Sequence, residues 1–118
     1  MELSEKEIIR IDETIDMIPP WVSSILEVGC GDGRVSKKAH NNCNLTGIDI
    51  ESIRIKLYPG NKLIGNISNL PIKSKRFDMV LACEVLEHLD NETMLLAIDE
   101  IQRIAKRYIL ITVPFKET

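Results

Sequence analysis

A chain of 118 residues holds enough material for one hydrophobic core and too little for two. Its 44% hydrophobic and 28% charged content excludes disorder, and a net charge of −3 argues against an extended nucleic-acid surface. No apolar run approaches the roughly 18 residues that cross a bilayer, and the charged start MELSEKEIIR lacks the apolar centre of a signal peptide. Two short basic groups, Arg34/Lys37/Lys38 and Lys73/Lys75/Arg76, read as solvated surface. Cys30, Cys43 and Cys83 form no CxxC pair and leave an odd count, the pattern of reduced thiols in a cytoplasmic protein rather than a disulfide framework. The lone HxxC of His40 and Cys43 lacks a second ligand pair, so no metal is expected.

The first predicted element is a helix over residues 4–17. Ser4 caps it, Glu7 completes a capping box, and Ile8, Ile11, Ile15 and Ile18 recur on one face. Pro19-Pro20 ends it, and Trp21 leads into a strand over 24–28. The glycine turn GCGDG follows, then a short helix over 34–40. The polar run 41–44 enters a second strand over 45–50. A brief helix over 51–57 closes at Pro59-Gly60, and a third strand spans 62–65 before a polar loop containing Pro71. The near-continuous apolar run 77–82 predicts a strand buried on both faces. Residues 91–106 keep a helical period through Met94, Leu95, Ile98, Ile101 and Ile104, and a fifth strand runs over 108–113 before Pro114.

Strands alternating with helices imply parallel pairing and right-handed crossovers. The expectation is one domain over 1–118, with an N-terminal helical segment (1–20) and an α/β Rossmann-like three-layer core (21–118). Its mainly parallel sheet has about five strands.

In such sheets ligands sit at the carboxyl ends of the strands. Gly29, Gly31 and Gly33 lie there, half of the chain's six glycines within five positions, and the next helix presents its positive end. Asp49, twenty residues after Gly29, ends the second strand where a carboxylate accepts hydrogen bonds from ribose hydroxyls. That combination predicts a nucleoside cofactor. The G-x-G-x-G spacing differs from the dinucleotide G-x-G-x-x-G, and Glu27 suits a nearby ammonium or sulfonium better than a pyrophosphate.

The segments LEVGCGDG, GIDIE, GNISNLPIKSKRFDMVLACEVLEHLDN and ILITVPF, in that order, resemble class I S-adenosylmethionine-dependent methyltransferases, in particular the group carrying an LP…FD…VLEHL segment. The resemblance covers about 25–115 and implies the strand order 3-2-1-4-5. It implies S-adenosylmethionine as cofactor, with S-adenosylhomocysteine as product. Glu27 would support the methionyl ammonium, and the Gly29-Cys30-Gly31 backbone would line the methionyl group and ribose. Asp49 would hold the ribose hydroxyls and Ile50 would pack on adenine. Asn66 and Ile67 would take the adenine edge, Asn66 offering a carbonyl where the family usually has an aspartate. Cys83 would contribute backbone near the methionyl end. Glu84, Glu87 and His88 invite a general-base reading, but methyl transfer by SN2 displacement needs alignment before it needs a base. Glu87 and His88 are rather expected to fix the loop before the Asp90/Asn91 cap, and no catalytic residue is named.

The family normally adds a C-terminal two-strand hairpin, which this sequence lacks. Either the sequence is a piece of a longer enzyme, or strand five is an edge that a second copy or a partner chain would cover. The methyl acceptor is open, with a small molecule favoured by the acidic balance and nucleic acid not indicated. Two alternatives remain at this point: a non-catalytic methyltransferase-like subunit, and an NAD-dependent oxidoreductase.

Overall fold

The computed structural model describes residues 3–39 and 43–113. The expected helix end at His40, the polar residues Asn41 and Asn42, and the stop at Pro114 lie outside them.

Helix α1 (Glu5–Asp16) begins at the predicted capping box. Ser4 Oγ accepts from the Glu7 amide at 3.2 Å, and Glu7 Oε1 accepts from the Ser4 amide at 3.4 Å. Strand β1 (Ser24–Val28) follows, buried from Ile25 onward. Helix α2 (Ser36–Ala39) starts two residues later than expected, because the glycine turn continues through Val35. Strand β2 (Asn44–Asp49) sits one residue earlier than the predicted 45–50: Asn44 already donates to Ser23 O at 2.8 Å. Ile50 leaves the sheet because Asp49 Oδ1 accepts from the Glu51 amide and turns the chain.

The segment expected as a helix over 51–57 contains only a 3-10 turn, Arg54–Leu57, whose Ile55 is buried beside Tyr58. Strand β3 (Asn61–Ile64) is exposed along its length, and strand β4 (Phe77–Cys83) is buried as predicted. Helix α3 (Asn91–Ile104) is capped by Asp90, whose Oδ1 accepts from the Thr93 amide at 2.8 Å. It ends two residues short of the predicted 106. Strand β5 (Ala105–Thr112) starts there without a loop, since Ala105 is already extended and pairs with Phe77.

All pairs are parallel and the order is β3-β2-β1-β4-β5, the predicted one. Alternation along the strands builds the three layers. Leu26, Val28, Val80 and Ala82 meet Ala97, Ile101 and Ile104 of α3, while Ile25, Met79 and Leu81 share the other face with Ile11 of α1, Val22 and Val35. Strand β1 lies at the centre, so Glu27 pairs in register with Gly47 on one side and Leu81 on the other.

Ile101 is 1% exposed in the α3 layer that supports β1 and β4. Ile101→Ala is expected to destabilise the domain by about 2–5 kcal/mol, read as a lower urea midpoint with an unchanged slope.

Candidate functional site

The carboxyl ends of β1, β2 and β4 open into a cleft of about 1050 Å³. All nine residues singled out from the sequence line it: Glu27, Gly29, Cys30, Gly31, Asp49, Ile50, Asn66, Ile67 and Cys83. They are brought together by three separate crossovers, which is why residues up to 56 positions apart share one wall.

The glycines have different tasks. A Cβ on Gly29 would lie 2.5 Å from Val85 Cγ2, so its missing side chain lets the segment after β4 pack across the turn. A Cβ on Gly33 would strike Tyr58 and Pro59. Gly31 (φ 51) faces the cleft, and the nearest group to a Cβ there is the Arg54 guanidinium at 3.4 Å. Only Gly31 is small for the sake of the cavity.

Two carboxylates stand at the strand ends. Asp49, 4% exposed, accepts from the Gly31 amide through Oδ2 at 2.9 Å and from the Glu51 amide through Oδ1 at 3.0 Å. Each oxygen keeps a lone pair for a further donor. Glu27, also 4% exposed, accepts a hydrogen bond from Ser36 Oγ, which in turn lies 2.9 Å from Tyr58 Oη. Burial pushes the Glu27 carboxyl up to about 7; the Ser36 hydrogen bond opposes the rise and the Asp32 charge adds to it. The same burial, with the Glu27 charge, pushes Cys30 and Cys83 up to about 12, so both thiols stay protonated.

Ile50 is 65% exposed on the cleft rim, an apolar surface for a flat ring. The Asn66 carbonyl is already engaged: Oδ1 accepts from the Ser68 amide at 3.0 Å and from Ser68 Oγ at 2.8 Å, closing an Asx turn. Its predicted acceptor role therefore competes with Ser68. His88 reaches the rim with its side chain 75% exposed, and its Nε2 lies 3.6 Å from Glu87 Oε2.

Helix α1 is the wall that sequence reasoning missed. Arg10, Thr14 and Met17 line the cleft beside Ile11. Arg10 pairs with Glu84 at the end of β4, and Glu7 with Arg34 of the glycine turn, at 2.6 Å. The periodicity of α1 marked its buried face but carried no signal of which loops its charged side would meet. Arg54 was missed too, because nothing in a local pattern directs it towards Gly31.

The methyltransferase domain family matches residues 26–109, well over half of the chain, including both carboxylates and the glycine turn. The chain belongs to that family. An uncharacterized protein of Methanocaldococcus jannaschii is 36% identical over 84 residues. The tRNA (carboxymethyluridine(34)-5-O)-methyltransferase of Schizosaccharomyces pombe is 31% identical over 87. These alignments take in 70% and 71% of this chain but 36% and 38% of the relatives, so the chain spans little more than a third of their length. A TehB-like SAM-dependent methyltransferase from Corynebacterium glutamicum superposes with a TM-score of 0.69 at 26% identity, covering 86% of this chain and 60% of that one. The methyltransferase domain is thus of the class I, S-adenosylmethionine-dependent type, with its Rossmann-like sheet. Neither the oxidoreductase nor the non-catalytic alternative is favoured by these matches.

The cleft fits S-adenosylmethionine on its own chemistry. Two buried carboxylates suit a ligand carrying an ammonium, a sulfonium and a diol, Gly31 clears the space between them, and no phosphate-binding run of free amides is needed.

Glu27 couples this site to stability. Its folded pKa lies above the model-peptide value of 4.5, so its contribution is fully present below about pH 4.5 and is lost as pH rises through about 7. A shift of that size corresponds to about 3 kcal/mol. Urea unfolding of the wild type and Glu27→Gln at pH 5 and pH 8 is expected to show the variant gaining relative stability at the higher pH; a pH-independent difference would contradict the assignment.

Proposed function

We propose that this domain binds S-adenosylmethionine in the cleft and presents its methyl group to an acceptor entering over the ends of β4 and β5. The observation that carries this reading is the convergence of Glu27, Gly31 and Asp49 on one cavity of a methyltransferase fold. Bound, S-adenosylmethionine supplies a sulfonium methyl for in-line displacement. Asp49 holds the ribose hydroxyls through the lone pairs left by the Gly31 and Glu51 amides. Ile50 and Ile67 flank the adenine, with Asn66 at its edge. Glu27 is the counter-charge for the methionyl ammonium, while the Gly29-Cys30-Gly31 backbone and Cys83 line that end. Van der Waals walls and alignment, rather than a general base, do the chemical work in this arrangement.

The fission-yeast relative's name specifies a tRNA substrate, which supports RNA as the acceptor class over the small molecule favoured by net charge. Strand β5 is an edge among the described strands, which a second copy, a partner chain or further residues of a longer protein would cover.

Isothermal calorimetry with S-adenosylmethionine and S-adenosylhomocysteine tests the cofactor reading, and absence of heat with both would sink it. Asp49→Ala is expected to weaken binding roughly 10- to 150-fold, the worth of charge-assisted hydrogen bonds. Because an ammonium favours ionised Glu27, binding below pH 7 is expected to release a proton, seen as heats that differ between buffers of different ionisation enthalpy. Glu27→Gln is expected to abolish that buffer dependence. Tritium transfer from labelled cofactor to RNA reads turnover.

A further inference from the structure

The opposite edge of the sheet carries a different chemistry. Because the strands run parallel, the residues entering β1, β4 and β5 share one edge, the far side from the cleft. Lys73, Lys75 and Arg76 precede β4, Lys106 and Arg107 open β5, and all five are exposed. None of the five forms an ion pair among the described residues, whereas Arg10, Arg34, Lys37, Lys38 and Arg103 all do.

An irregularity in the β4–β5 ladder places two of these cations side by side. Between the pairs Phe77–Ala105 and Met79–Tyr108, β4 has one residue, Asp78, and β5 has two, Lys106 and Arg107. Such an extra residue re-aims side chains that strict alternation would send to opposite faces. Asp78 is the acid whose charge acts on Lys106 and Arg107, although it forms no ion pair with either; Asp78 and Glu100 are both hydrogen-bonded elsewhere. Asp78 Oδ2 accepts from the Ser23 amide at 2.9 Å and from Ser23 Oγ at 2.6 Å. Glu100 accepts from Arg103 at 2.8 Å and from the Leu70 amide at 2.7 Å. The negative end of α3 accounts for Arg103, not for five further cations.

Trp21, the only tryptophan, stands at the same edge before β1 and is 61% exposed. Its Nε1 donates to Tyr108 Oη at 2.6 Å, and the Arg107 guanidinium lies 5.4 Å from the Tyr108 ring centroid. The indole is therefore held beside the cations with most of its surface in water.

We propose that this edge is a docking surface for single-stranded RNA, its phosphates on Lys73, Lys75, Arg76, Lys106 and Arg107 and an unpaired base stacked on Trp21. Unpaired cations supply backbone affinity, and an exposed aromatic ring supplies a stacking platform that a duplex cannot use. An acidic protein would need the cations but not the indole. A lipid surface would be met by an amphipathic helix, and strand ends and loops form this edge. The inference rests on the RNA-acceptor reading for its purpose, and on this edge alone for its chemistry. The eight residues of β5 separate it from the cleft by roughly 25 Å, so a bound strand would run along the protein to bring a base to the methyl group.

Quenching of the Trp21 emission by oligouridylate, with anisotropy of the labelled oligonucleotide, tests it on the full chain. Affinity is expected to fall roughly 100-fold between 50 and 200 mM salt, from five phosphate contacts at a slope of about 0.7 each. Lys106→Ala with Arg107→Ala should lower that slope by about 1.4. Trp21→Ala should weaken binding roughly five- to 150-fold, while Trp21→Phe, which keeps a ring, retains most of it; thermal melts check that each variant folds. Absent or salt-insensitive binding, an unchanged slope in the double variant, equal competition by polyglutamate or duplex RNA, or preferential sedimentation with phosphatidylserine vesicles overturns the proposal. Calorimetry with S-adenosylhomocysteine on the same samples reads the cleft separately. Lost RNA binding with intact cofactor binding removes only the docking surface, and the converse removes only the cofactor reading.

Discussion

Strand β1 hydrogen-bonds on both sides, to β2 and to β4, and that central position sets the chemistry of the cleft. It forces Glu27 into the middle of the sheet, opposite Gly47 and Leu81, where a carboxylate has almost no water. The carboxylate is tolerable there because Ser36 donates to it from the first turn of α2, and because burial keeps its proton near neutrality. The glycine turn must then leave β1 sharply enough to bring Ser36 back over Glu27. Gly29 and Gly33 clear Val85 and Tyr58 as it does so. The site and the core are joined at this point: Glu27 lines the cavity, while Ser36 and Tyr58, which hold it, are buried behind the lining.

Parallel pairing has a second consequence, in the distribution of charge. Every strand contributes its carboxyl end to one edge and its amino end to the other. Glu27 and Asp49 gather at the first, while the cations preceding β4 and opening β5 gather at the second. A net charge of −3 is the sum over both edges and describes neither. Helix α1 lies against the first edge through pairs made by Arg10 and Glu7. Surface pairs of this kind are each worth little; the buried Ile11 and Thr14 set which side of α1 meets the sheet.

Much of this was legible in advance where the signal was local and periodic. The capping box of α1, the apolar run of β4 and the helical repeat of α3 all appear as expected, parallel pairing followed from the alternation of strands with helices, and the strand order is the one the family resemblance implies. The misplaced boundaries have a common cause. Ile50 reads as strand by composition, yet Asp49 turns the chain by taking the Glu51 amide. Lys106 reads as helix, yet Ala105 has already turned extended to pair with Phe77. In both cases a specific contact, a local side-chain turn at Asp49 and a tertiary ladder at Ala105, overrode a propensity worth a few tenths of a kcal/mol.

What the sequence determined by itself was the turn: three glycines after an apolar run, with carboxylates at Glu27 and Asp49, point to a cavity at the end of a parallel sheet, because the turn holds all three at positive φ, where a Cβ is strained. What only the tertiary structure decided was company. It set Arg54 over Gly31, made α1 a wall, and put Trp21 beside Arg107 through Tyr108. Those contacts join residues far apart in the chain, and their geometry is fixed by crossovers and by one extra residue in β5, for which a linear pattern has no counterpart.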